Sequence, residues 1–255
     1  EKAHLQVLKI LREEKDYRSA QKKIKGMLAD DKFKRISGNL ELELVQLYRV
    51  QGTSEEIETR LESIVNDYQR TQVSAEAYYQ LGQIYTSEKW DLTRAKEYFD
   101  NVSKESSRSL FSPMAKSHSR SITTYQKAEK DIGRHKSMND AVEAVTEAKE
   151  QDSTTALQMS VSVEKAPQRT IPELYYQLAD LEAFSFNRYK QSKDLLYRII
   201  NEYPDSNFKP KAMFALVFVY ESLADSNSAL NIKNKILDEF PGTEYASYIS
   251  DEVVK

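Results

Sequence analysis

The chain has no cysteine. That removes disulfides, thiolate metal sites and cysteine nucleophiles, and it is compatible with an oxidising or a reducing compartment. Only six glycines and six prolines occur in 255 residues. A β-sandwich or barrel needs many such residues in its turns, so their scarcity argues for long helices with short connections. No apolar run approaches the roughly 18 residues that a bilayer-spanning helix requires. The opening E-K-A-H-L-Q carries no signal-peptide pattern. Three histidines, His4, His118 and His135, lie far apart, and the isolated glycines form neither a phosphate-cradling loop nor a calcium loop. A net charge of −3 supplies no basic field to draw in nucleic acid. These absences leave no catalytic residue, no metal ligand and no cofactor contact to nominate, so the chain reads as a non-enzyme.

What is present is repetition. Residues 199–206 read I-I-N-E-Y-P-D-S, and residues 236–243 read I-L-D-E-F-P-G-T. A phrase recurring at this spacing is a sign of stacked repeats. Upstream of each phrase lie two apolar-periodic segments separated by a short polar break. PELYYQLADLEAF (172–184) precedes YKQSKDLLYRII (189–200), and PKAMFALVFVYESL (210–223) precedes SALNIKNKIL (228–237). Tyr175, Leu178 and Ala179 share one helical face, as do Met213, Leu216, Val217 and Tyr220. Pro210 suits a first helical turn, where its missing N–H is no loss. Three more copies follow the template: the N-terminal segment, 41–71, and 75–102.

The pattern resembles the tetratricopeptide repeat, whose first helix carries a large aromatic, Leu-Gly and Tyr, and whose second carries Ala and an aromatic before a closing proline. The clearest copy has Tyr78, Leu81-Gly82, Tyr85, Ala95, Phe99 and Val102; the copy at 210–241 has Leu216, Tyr220, Ala229, Ile236 and Pro241. The implied fold is an all-α solenoid of stacked antiparallel helical hairpins, because one hairpin cannot bury its apolar face alone. Gly82, Ala20, Ala95 and Ala229 would permit close helix approach. Ile57 and Ser192 occupy this small-residue slot, where looser or shifted packing is expected, and Glu182 stands where a second aromatic is usual.

The predicted helices are 1–13, 16–29, 38–51, 54–68, 74–87, 92–105, 110–131, 171–186, 189–203, 209–223 and 227–239. The chain divides into N-terminal repeats (1–132), a polar connector or degraded repeat (133–170), in which 140–150 has helical composition and 151–170 is expected to be the most mobile internal stretch, and C-terminal repeats (171–255). Between 104 and 136 the charge is +5, against −8 elsewhere. That segment reads either as a docking patch for an acidic partner or lipid head groups, or as a solvated helix face.

The resemblance implies a non-catalytic scaffold that binds a protein or peptide in a groove lined by the first helices. The family's groove positions fall on Tyr79 and Gln83, Tyr176 and Asp180, Phe214 and Phe218. These aromatics read either as partner anchors or as packing against the next repeat. Inner positions Gln6, Glu43, Gln80, Gln177 and Ala215 do not form a clamp for a partner's C-terminal carboxylates. The Y/F-P-[DG]-[ST] turns are similar to those of bacterial cell-envelope members, including the lipoprotein that is the D component of the outer-membrane β-barrel assembly machinery. That likeness implies a periplasmic or outer-membrane-associated protein, with a lipid anchor upstream of Glu1. A cytosolic adaptor that captures a peptide of an enzyme or assembly is the alternative. Neither reading fixes the partner or the oligomeric state.

Overall fold

A computed structural model describes residues 2–52, 54–151 and 167–253. It contains twelve α-helices and no strand among the described residues. In chain order these are α1 (Lys2–Glu13), α2 (Tyr17–Leu28), α3 (Ser37–Gln51), α4 (Ser54–Asp67), α5 (Gln72–Ser87) and α6 (Leu92–Glu105). They continue as α7 (Ser112–Gln151), α8 (Ile171–Phe184), α9 (Tyr189–Glu202), α10 (Lys209–Ser222), α11 (Ser226–Glu239) and α12 (Glu244–Val253). The fold is an all-α solenoid of stacked helical hairpins, as the repeat predicts.

Local chemistry sets the boundaries. Asp16, Thr71, Asp91 and Asp225 each accept a hydrogen bond from the backbone N–H three residues on, at 3.0–3.1 Å. These caps satisfy donors that a helix start leaves without partners. The hairpin turns share one backbone device: Lys15, Gly52, Trp90, Asn187 and Ala224 all have φ between 50° and 77°. A non-glycine residue in this left-handed region costs roughly 1–2 kcal/mol. Four of the five are not glycine, so packing of the two helices, rather than the turn residue, holds the conformation.

The chain forms two compact units that divide after Ile122, within α7. In the first, α1 to α6 pair as three successive hairpins, each resting on the next. Leu8, Ile24, Leu40, Leu44, Leu61, Leu81 and Phe99 are fully buried there. At Gly82 an added Cβ would lie 2.6 Å from the Phe99 ring, so the absent side chain is what lets α5 and α6 meet. Ala95, on α6, is also fully buried.

In the second unit the hairpins α8–α9 and α10–α11 stack, and α12 covers the last of them. Tyr125, Ala128 and Ile132 of α7 are buried in this unit. Ser192 occupies the small-residue slot on α9 and is 1% exposed, so it serves there as alanine does elsewhere. Glu182 replaces the usual aromatic with a buried charge. Its Oε1 accepts a hydrogen bond from Tyr125 Oη at 2.7 Å, and its Oε2 lies 3.3 Å from Arg188 Nε. Burial pushes its pKa up; the Tyr125 hydrogen bond and the Arg188 charge oppose that rise.

Two features differ from the sequence expectation. Helix α7 was expected to end near 131 and instead continues to Gln151. Gly133 lies within it; its low helix propensity weakens the helix without breaking it. Of the stretch read as a polar connector or degraded repeat, 133–151 are helical, and 152–166 lie outside the described residues. Helix α12 was not expected. It begins at the T-E-Y-A segment, where Thr243 Oγ1 accepts from Ala246 N at 3.4 Å, and it buries Ala246 and Ile249.

The contact at Gly82 gives a direct test. Gly82→Ala is expected to destabilise the protein by about 1–3 kcal/mol, because the methyl overpacks against Phe99. Gly26→Ala, on an exposed face of α2 with no neighbour within 4 Å, is expected to stabilise by up to about 1 kcal/mol. Urea melts of both variants distinguish the outcomes; shifts of the same sign would contradict the packing described.

Candidate functional site

On the first helices of the first unit, a stripe through the inner positions Glu43 and Gln80 is polar and internally bonded. Arg12 Nη1 donates to Glu43 Oε2 at 2.9 Å, joining α1 to α3. Gln80 Oε1, on α5, accepts from Gln46 Nε2 at 3.3 Å and from Arg49 Nη2 at 3.2 Å, while Gln80 Nε2 donates to Glu76. Burial raises the pKa of Glu43 and of Glu76; Arg12 and Lys9 oppose this at Glu43, and Glu43 adds to it at Glu76. Hydrogen bonds within the stripe already engage these groups.

Tyr79, a sequence-nominated groove residue, is 7% exposed. Its ring stacks on Phe111 at 5.0 Å and lies 5.7 Å from Phe99, with His118 beyond. The structure thus gives Tyr79 a packing role. Gln83 is exposed and reaches back to Tyr79 Oη at 3.4 Å.

The second unit presents aromatics. Tyr176 is half-buried, its ring 6.0 Å from Phe208, with Lys211 Nζ 4.5 Å from its centroid. Burial, with Asp180 and Tyr245 nearby, pushes the Tyr176 hydroxyl up to about 12. Asp180 is exposed at the residue level, and its carboxyl is raised by desolvation, with Lys211 opposing. Phe214 is half-buried in a cluster of rings: Phe218 at 5.1 Å, Tyr245 at 5.1 Å and Tyr248 at 5.5 Å. Phe218 is 37% exposed, Tyr248 56% and Phe184 61%. Phe214 therefore both helps seat α12 and backs the exposed rings.

Sequence reading missed Phe184, Lys211, Tyr245 and Tyr248. Phe184 had a legible signal, since it stands one turn beyond Asp180 on the stripe begun by Tyr176. The two tyrosines were missed with α12 itself.

Elsewhere, a cavity of about 540 Å³ is lined by Tyr48, Glu56, Thr59, Arg60 and Ser63. Its Arg60 is bonded to Glu41 and lies 5.5 Å from the Tyr48 ring centroid, so the cation is engaged within the protein. Among the described residues no group of three or more His, Asp or Glu is placed to hold a metal ion. No helix among them is long and apolar enough to cross a membrane.

Residues 173–206 match the tetratricopeptide repeat. The match spans α8, α9 and the Y-P-D-S turn. No curated protein matches the chain. Among solved structures, that of PilW, described as a widely conserved type IV pilus biogenesis factor, is similar at 12% identity over 97% of each chain, with a TM-score of 0.39.

Exposure separates anchor from core within α10. Leu216 is fully buried, and Leu216→Ala is expected to cost roughly 2–5 kcal/mol through the cavity it leaves. Phe218→Ala, at a partly exposed site, is expected to cost about 1 kcal/mol or less. Thermal melts of the two variants check this, and equal losses would place Phe218 in the core.

Proposed function

We propose that the chain is a non-catalytic protein–protein interaction scaffold, and that it docks a partner peptide or protein on the first-helix face of its second unit. One observation carries the reading: Phe184, Phe218 and Tyr248, on α8, α10 and α12, are 37–61% exposed on three successive first helices. Phe218 and Tyr248 both pack on Phe214 and so form one partly exposed cluster, and aromatics are common anchors at interfaces. The tetratricopeptide match at 173–206 supports the same reading, since repeat stacks bind through extended faces. Tyr176, Asp180 and Phe214 belong to this face; Gln83 is the exposed groove position of the first unit. The proposed location is the bacterial cell envelope, supported by the Y-P-D-S and F-P-G-T turn phrasing.

Affinity capture from the native organism tests both parts. The intact protein is expected to retain a partner that the Phe218→Ala/Tyr248→Ala variant loses, with both proteins equally folded by circular dichroism. The captured partner is expected in the envelope fraction. A partner held equally by the variant would contradict the docking face. A partner confined to the cytosol would favour the adaptor alternative.

A further inference from the structure

The docking reading leaves the partner's chemistry open, and the charges around the aromatics address it. Three stripes run along successive first helices of the second unit. On α8 the stripe is Tyr176, Asp180 and Phe184, at i, i+4 and i+8. On α10 it is Phe214, Phe218 and Glu221, at i, i+4 and i+7. On α12 it is Glu244, Tyr248 and Asp251, again at i, i+4 and i+7. Each spacing keeps its three residues on one helical face. Every stripe therefore combines aromatic rings with at least one carboxylate.

Asp180, Glu221, Glu244 and Asp251 are all exposed at the residue level. Glu221 is shared with Lys233 of α11 at 2.9 Å. The cation on this face, Lys211, shows what the rings can do. Its ammonium stands 4.5 Å from the Tyr176 centroid and 5.9 Å from that of Phe208. Ring faces attract cations through their quadrupole, and a nearby carboxylate adds Coulomb attraction in the same direction.

Resting on the docking reading above, we infer that the occupant of this face is a basic segment: an apolar or aromatic anchor flanked by lysine or arginine. The anchor packs on Phe214, Phe218 and Tyr248. The flanking cations meet Asp180 on one side and Glu244 and Asp251 on the other. An acidic segment meets carboxylates on all three helices, and the nearby cations are already engaged: Lys211 over Tyr176 and Lys233 with Glu221. Electrostatic complementarity of this kind selects partners and steers their approach.

A random peptide library displayed on phage and selected on the full chain tests the inference without knowledge of the natural partner. The Phe218→Ala/Tyr248→Ala protein serves as counter-selection. The expected result is enrichment of peptides with net positive charge around an apolar residue. Synthetic versions are expected to bind the Asp180→Asn/Glu244→Gln/Asp251→Asn protein about tenfold more weakly than the unaltered chain. Enrichment of neutral or acidic peptides, or unchanged affinity for the triple variant, overturns the basic-segment inference and leaves the docking face standing. Failure to enrich any peptide over the counter-selected protein overturns the docking face as well.

Discussion

A helical hairpin of two short helices has more apolar surface than its own pair can hide. The rest of this structure follows from that constraint. Each first helix must rest on the second helix of its own hairpin and on the next hairpin too, which requires small residues where backbones come close. Gly82 against Phe99 is the tightest instance, and Ala95, Ala229 and the buried Ser192 repeat the arrangement elsewhere. The left-handed residue in every hairpin turn is tolerated because the stack determines the geometry around it.

The same constraint decides which residues remain available. Side chains facing within or between hairpins are consumed by packing, and what remains are the outward faces of the helices, among them a stripe on each first helix. In the first unit the inner positions are closed by polar bonds, with Gln80 of α5 accepting from both Gln46 and Arg49 of α3. In the second unit the groove positions carry exposed rings beside carboxylates. At the groove position itself, Tyr79 of the first unit is buried while Phe218 of the second, one turn along its stripe, is exposed.

Much of the fold was legible in the sequence because periodicity, proline turns and small-residue slots act locally and recur. All eleven predicted helices are present. The errors have physical causes. At Gly133 a single glycine lacked the proline or capping residues that end a helix, so α7 ran on. Helix α12 is short and depends on α10 and α11 to bury Ala246 and Ile249, a dependence that no local pattern announces. The site was legible only as a register. The family's groove positions nominated both Tyr79 and Phe218, and the placement of Phe111 and His118 shows that Tyr79 turns inward. Glu182 stood out as a misfit in the repeat, but its partner Tyr125 lies 57 residues away in sequence and could not be named beforehand.

Hydroxyl-radical footprinting of the full chain, with and without a captured partner, reads the central claim at side-chain level. The account predicts that Phe184, Phe218 and Tyr248 lose reactivity when the partner binds, while Leu230, 58% exposed on the second helix α11, is unchanged. Protection of Leu230 with Phe218 and Tyr248 still reactive would contradict it.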